Sequence, residues 1–312
     1  MNKRPDVYIC SKPLQYFNIK NISTTEDSNE KKVLFVIDAF INAADYVNRI
    51  KLFDKEWDNV YLFKDLFKGL NWILKNPVHN LYVDNDMSWQ IYCLSLFGRI
   101  DNLYVYEEGI GSYSNKQDYE AIYQKGGLLR DFFRKIFGMG FHHGDSIFCK
   151  GVFLYKPDLY NRKFQTKKGQ PFEMSFMEHL LKNEDLFLRI GGGAPEEINV
   201  RNKKILIYIT EWKIKPEVLD IFKKEASKYD LCIIKPHPHI KHLDFIASDN
   251  IKVLNTPIMV EMILSFLLRR GNKLTVWHHY STSVVQFHDY VECVPLSEIS
   301  AYEKAYQEYI NA

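Results

Sequence analysis

The sequence predicts an α/β fold made of two Rossmann-like halves that face each other across a cleft. Three observations predict it. Short apolar runs recur along the chain; stretches with helical period stand between them; and the alternation lapses once, from Tyr155 to Lys203, before it resumes. Short buried strands alternating with helices imply a parallel sheet covered on both faces. The 312-residue length fits two domains at roughly 100–200 residues each, long enough to bury a sizeable core.

The elements follow in order. Asp6–Ser11 (DVYICS) is the first strand and Lys31–Ile37 (KKVLFVI), ending at Asp38, the second; Asn59–Phe63, Asn80–Val83 and Asn102–Tyr106 come next. Ala44–Phe53 and Asp65–Lys75 carry the 3.6-residue period of intervening helices. Between Tyr155 and Lys203, "TKKGQP" and "RIGGGAPEE" hold the turn residues of loops and a linker. Strands resume at Lys204–Thr210, Leu231–Lys235, Ile251–Leu254 and Leu274–Trp277, with helical period over Lys215–Tyr229 and over Leu296–Ile310, starting at Ser297. The expected organisation is an N-terminal domain over 1–160, a linker region over 161–203 and a C-terminal domain over 204–312 that ends in a helix. Ligands of such sheets bind at the carboxyl ends of the strands, so the site is expected in the cleft.

Composition removes several classes. The net charge of +2 is too near balance for a nucleic-acid binder, and the basic residues are spread along the chain. The five cysteines (Cys10, Cys93, Cys149, Cys232 and Cys293) are scattered and form no C-x-x-C, which fits a reducing compartment better than a disulfide framework. MNKRPDVYICSKPLQ lacks the apolar centre of a signal peptide, and no run of about 18 apolar residues occurs. A cytoplasmic protein is expected, with peripheral contact to the inner face of the membrane and a homodimer both left open. The 15% aromatic content suits a sugar- or lipid-facing surface and ordinary core packing equally well.

Four segments stand where strands should end. Glu107-Glu108-Gly109 puts two carboxylates on opposite sides of an extended chain, so one faces the cleft and the other the protein. A cleft carboxylate is a candidate general base, and a solvated acidic turn is the plainer alternative. In Lys235-Pro236-His237-Pro238 two prolines hold the imidazole in place, where it can act as an acid or stabilise a leaving phosphate. Thr256-Pro257 reads as a helix start with Thr256 as cap, which sets Glu261 one turn in, within reach of ribose hydroxyls or simply exposed. Ser281-Thr282-Ser283, after His278-His279-Tyr280, offers hydroxyl donors and a helix start to a phosphate, or an ordinary cap.

Three further features are weighed and set aside. Asp84-Asn85-Asp86 has the D-x-D form of some metal–nucleotide sites, but so short an acidic match is nonspecific and a loop or cap is favoured. His142-His143 and His278-His279 are neighbours that point apart in a strand, with no cysteine in spacing, so no metal site is expected. Leu128–Phe141 (LLRDFFRKIFGMGF) is basic, amphipathic and rich in Phe; it suits an anionic membrane surface, although packing on the core is commoner.

Taken in order, the acidic pair with its glycine, His237-Pro238 and Ser281-Thr282-Ser283 resemble the D/E-D/E-G, H-P and Ser/Thr motifs of bacterial sialyltransferases of glycosyltransferase family 52. CSKPLQ (Cys10–Gln15) is similar to the S/T-P-L-Q opening of that family, with Lys12 intruding. The related polysialyltransferases share these motifs. The resemblance implies a GT-B fold and an inverting, metal-independent transfer from a CMP-activated nine-carbon acidic sugar, commonly CMP-N-acetylneuraminic acid. It implies Glu107 or Glu108 as base, with Glu107 favoured, although the family often has Asp there. His237 would face the CMP phosphate, Ser281–Ser283 would bind it, Lys235 would approach the nucleotide base and Glu261 the ribose, with Gly109 and Pro238 completing the motifs.

The chemistry is consistent with this. Sialyl transfer needs a base on the acceptor side and cationic or hydrogen-bonding groups on the leaving phosphate, and CMP carries only one phosphate. No cofactor or metal is expected. The partners would be the nucleotide-sugar donor and a glycan acceptor, lipid-linked, of lipooligosaccharide or capsule. Another CMP-nonulosonic acid, a different nucleotide sugar, or a non-catalytic binding role in polysaccharide assembly are the alternatives.

Overall fold

The computed structural model describes residues 4–24, 31–115, 127–211, 214–238, 240, 243, 250–296 and 300–312. Twelve strands form two all-parallel sheets among these residues. The first contains β1 (Asp6–Cys10), β2 (Lys32–Ile37), β3 (Asn59–Phe63), β4 (Val78–Val83), β5 (Ile100–Tyr106), β6 (Cys149–Leu154) and β7 (Gly169–Pro171), in the order β3-β2-β1-β4-β5-β6-β7. The second contains β8 (Lys204–Ile209), β9 (Leu231–Lys235), β10 (Ile251–Val253), β11 (Lys273–His278) and β12 (Glu292–Pro295), in the order β10-β9-β8-β11-β12. Each sheet therefore reverses its strand order once, at β1/β4 and at β8/β11, the crevices where doubly wound folds bind ligands.

The central strands β1, β8 and β9 are near-continuous apolar runs because both faces of each sheet are covered there. β1 and β9 are buried along their whole length. In β8, Ile205, Ile207 and Ile209 join the large core shared with the first domain, while Leu206 and Tyr208 pack into a smaller cluster with Phe222, Ile234 and Trp277 on the opposite face. The helices start where the chain supplies caps. Asp65 accepts from Lys68 N at 3.1 Å to open Leu66–Lys75, and Ser88 accepts from Ile91 N at 3.2 Å to open Trp89–Phe97. Pro13 opens Pro13–Ser23 directly after β1.

Several boundaries differ from the sequence reading. The stretch 161–203, expected as a linker, is folded: it finishes the helix Pro157–Phe164, adds β7 to the first sheet and forms the 16-residue helix Phe176–Gly191. That helix touches both domains. Arg49 Nε donates to Ile190 O at 2.7 Å, and Glu184 meets Ser265 and Arg269 of the C-terminal domain. β6 and β12 were not foreseen. The basic amphipathic segment is helical over Leu128–Phe137 and stops where Gly138 takes the left-handed φ of 65°. The helix beyond Pro257 begins at Val260, with Met259 rather than Thr256 at its cap. The last helix is Ser300–Ile310; its expected start at Ser297 lies outside the described residues.

The last helix crosses back to the first domain, where Glu308 pairs with Lys163 at 2.5 Å and the Tyr309 ring meets Tyr113 edge-on at 5.2 Å. A second cross-domain contact is backbone-close. Ile110 N donates to Thr282 Oγ1 at 3.2 Å, and Gly109 (φ 117°) lies so near that a Cβ there would stand 2.3 Å from the same oxygen. Only glycine fits that position. Gly109→Val should therefore lower the stability by about 1–3 kcal/mol, read as a drop in the urea midpoint; an unchanged midpoint would contradict this approach of the two domains.

Candidate functional site in the interdomain cleft

A cavity of about 210 Å³ lies between the carboxyl ends of the two sheets. Its N-terminal wall is Lys12–Leu14 after β1, Phe40 and Ile41 after β2, and Glu108 after β5. Its C-terminal wall is Thr210 after β8, Lys235–Pro238 at and after β9, Thr256–Glu261 after β10, and Ser281–Ser283 after β11.

The C-terminal wall sets several polar side chains among apolar ones and is partly buried. Lys235 ends β9 and donates from Nζ to Thr256 O at 2.7 Å. Burial lowers its pKa to about 8, against the pull of the Glu261 carboxylate. Burial in turn pushes the Glu261 carboxyl up, opposed by hydrogen bonds from its own backbone and from Ser283 and by the Lys235 charge. Glu261 sits in the first turn of Val260–Leu268. His237 is half-buried between two prolines, and its N–H donates to Thr210 Oγ1 at 2.9 Å, which fixes the turn after the strand. Tyr280 takes a left-handed φ of 51°, and Ser281 Oγ then accepts from Ser283 N at 3.3 Å, so the three hydroxyl residues begin a one-turn helix.

On the N-terminal wall the two glutamates part. Glu107 is enclosed in the first domain, where Tyr113 OH donates to Oε2 at 2.6 Å, Tyr155 N to Oε2 at 2.8 Å and Tyr309 OH to Oε1 at 3.3 Å. Burial raises its pKa to about 7, and these donors hold it from rising further. Glu108 faces the cavity. It is paired with Lys12, receives Gln15 Nε2 at 3.2 Å, and its own N–H donates to Ser112 Oγ at 2.8 Å. Gln15 Nε2 also reaches Asp84 Oδ2 at 2.9 Å, and Asp84 is lifted to about 7 by burial and by the nearby Glu108 charge.

The fold thus gathers Glu108, Lys235, His237, Pro238, Glu261, Ser281, Thr282 and Ser283 around one cavity. Glu107 and Gly109 are not on its surface; the first is interior, the second is the domain contact. Sequence reasoning did not single out Lys12 or Thr210. Lys12 was visible only as an interruption of the Cys10–Gln15 segment, and Thr210 only as the last residue of a strand.

The features set aside have structural places. Asp86 accepts from Gly144 N at 2.9 Å and Ser146 N at 3.1 Å, away from the Asp84 contacts. His142 stacks on Phe164 at 3.8 Å, while His143 is buried against Ser112 Oγ at 3.0 Å. His278 is buried, and His279 lies 3.2 Å from Tyr208 OH and 3.4 Å from Glu211. Among the described residues, no three His, Cys, Asp or Glu side chains are grouped to hold a metal ion.

No family model and no curated protein matches the chain. Solved structures do resemble it. The wall teichoic acid polymerase TagF (H444N, soaked with CDPG) is 10% identical with a TM-score of 0.52, covering 92% of this chain and 68% of that one. The UDP-GlcNAc 2-epimerase of Neisseria meningitidis bound to UDP-GlcNAc is 11% identical with a TM-score of 0.50, over 98% and 91%. MnaA of S. aureus with UDP is 9% identical with a TM-score of 0.53, over 100% and 91%. At these identities the likeness is one of fold, and the fold is GT-B.

Burial of Glu107 has a measurable consequence. Its folded pKa of about 7 lies above the ordinary 4.5, so the folded state holds its proton where the unfolded state releases it. Its contribution to stability is complete below about 4.5 and is lost as pH rises through about 7. Between these limits the melting temperature of the native chain should fall more steeply with pH than that of Glu107→Gln. Parallel curves would contradict the assignment of Glu107 to the interior.

Proposed function

We propose that the chain is an inverting, metal-independent sialyltransferase that moves a nine-carbon acidic sugar from a CMP donor, CMP-N-acetylneuraminic acid first, to a galactose-type hydroxyl of a bacterial surface glycan. The observation that carries this reading is the opposition, across one cavity, of a single carboxylate, Glu108, and a wall holding Lys235, His237, Glu261 and Ser281–Ser283. The sequence resemblance to family 52 supports the donor class. The UDP ligands of two proteins with the same fold support a nucleotide in the cleft.

In this reading the CMP half of the donor lies on the C-terminal wall. Glu261 accepts from the ribose hydroxyls, Lys235 faces the nucleotide base, and the hydroxyls of Ser281–Ser283 donate to the phosphate. Glu108 takes the proton of the acceptor hydroxyl while that oxygen attacks the anomeric carbon. The bond to the phosphate oxygen breaks on the opposite face, and the CMP phosphate departs toward His237, which neutralises it by charge or by a proton. The attack and departure on opposite faces give inversion. In this reading His237 and the hydroxyls of Ser281–Ser283 supply the donors and charge that a monophosphate leaving group requires, so the proposed step uses no metal. Glu107, without access to the cavity, orders Tyr113, Tyr155 and Tyr309 behind the base.

A second reading is a GT-B enzyme acting on another nucleotide sugar, favoured by those same UDP ligands. CMP release from CMP-N-acetylneuraminic acid in the presence of galactosides and EDTA separates the two. The expected result is acceptor-dependent release that persists in EDTA and drops about 10²–10⁴-fold in Glu108→Gln and in His237→Ala, while Glu107→Gln keeps most of it. Turnover of a UDP-sugar with none of the CMP donor would overturn the donor assignment.

A further inference from the structure

We propose that one face of the N-terminal domain is a docking surface for an anionic lipid bilayer. The helix Trp89–Phe97 (WQIYCLSLF) has no charged residue. It buries Ile91, Tyr92 and Leu94 and leaves Trp89 54% and Phe97 72% exposed, with Leu96 beside them. An apolar helix with water on one face is unusual for a surface element.

The exposed area continues onto two neighbouring helices. The Trp89 ring lies 6.0 Å from Phe137, at the end of Leu128–Phe137, and that helix exposes Phe132 and Ile136 one turn apart. Ile147 packs against Gly138 just beyond it and is 68% exposed. On the other side Leu66–Lys75 lies against Trp89–Phe97 and turns Phe67 and Leu74 outward. The surface is held in place from beneath. Arg134 Nη2 donates to Met87 O at 3.0 Å and its Nη1 to Gly140 O, which fastens Leu128–Phe137 to the loop ahead of Trp89.

Charge names the occupant. Exposed cations sit beside the exposed apolar residues: Lys68 next to Phe67, Lys75 next to Leu74, Arg99 two past Phe97, and Lys135 next to Ile136. Among the described residues of the three helices the only acid is Asp131, half-buried; of the acids that flank them, Asp65 caps Leu66–Lys75, Asp101 is paired with Arg4, and Asp145 lies by His142. A two-fold contact between copies would bring this cationic rim against itself. An anionic bilayer takes both features, the rings and Ile or Leu at the headgroup boundary and the lysines on lipid phosphates. Among the described residues no helix is long and apolar enough to cross a membrane, so the contact is peripheral.

The position bears on the cleft. Trp89 stands five residues after Asp84, whose carboxylate shares Gln15 with Glu108. A bilayer on this face would lie beside the wall that holds the proposed base, within reach of a lipid-linked acceptor. That last step rests on the proposed function; the bilayer contact does not.

The test is co-sedimentation of the full chain with vesicles of phosphatidylcholine alone or mixed equally with phosphatidylglycerol, at about 0.1 M and about 1 M salt. Two variants are compared, Trp89→Ser/Phe97→Ser and Lys68→Glu/Lys75→Glu/Lys135→Glu, with melting temperature as the check on folding. The native chain should bind the anionic vesicles at least tenfold more tightly than the neutral ones and lose binding in high salt. Both variants should lose it at unchanged melting temperature. Absence of binding to anionic vesicles would overturn the proposal, as would binding that neither variant alters. A dimer in light scattering that the Trp89/Phe97 variant dissolves would assign the face to a second copy instead.

Discussion

The site depends on how closely Gly109 approaches Thr282. The turn after β5 must pass near the turn after β11 for the carboxyl ends of the two sheets to share a cavity, and no side chain fits between them. The same turn decides what each glutamate does. The chain leaves β5 extended, so Glu107 points back under the sheet and Glu108 forward into the cleft. Tyr309 of the last helix then closes over Glu107 from the far end of the chain, with Gln286 donating to its hydroxyl at 2.7 Å. Residues from three distant parts of the sequence therefore set the position of one carboxylate.

Burial dominates the electrostatics around this cleft. Asp84, Glu107 and Glu261 are all raised, Lys235 is lowered, and desolvation is the largest cause in each case. Lys235 and Glu261 offset one another on the C-terminal wall, while Lys12 and Glu108 pair on the other. The cavity is thus divided into two balanced halves. In the proposed reaction a phosphate near His237 would meet donors whose orientation is already fixed by Thr210, Thr256 and the Ser281 turn, which would limit the reorganisation needed as charge develops on the leaving group.

Much of this was legible in the sequence, for physical reasons. Buried parallel strands are long apolar words, so β1, β2, β8, β9 and β11 are legible, and the motifs fall at strand ends, where the loops line the cavity. The short edge strands β7 and β12 have little apolar content and left no such mark. The helix Phe176–Gly191 was hidden by the turn-rich segments on either side of it. Proline signalled a helix near residue 257, but the turn it makes runs three residues before the helix begins. Which of two adjacent glutamates faces a cleft depends on Tyr113, Tyr155 and Tyr309, and contacts across 202 positions have no local signature. Lys12 was seen as an intrusion because its partner, Glu108, lies 96 residues away.

The most direct measurement is a crystal structure of the chain with CMP. The account predicts the phosphate at hydrogen-bond distance from His237 and the hydroxyls of Ser281–Ser283, the ribose hydroxyls on Glu261, and Glu108 across an open space large enough for the sugar. A nucleotide bound outside this cavity, or one whose phosphate lies against Glu108, would contradict it.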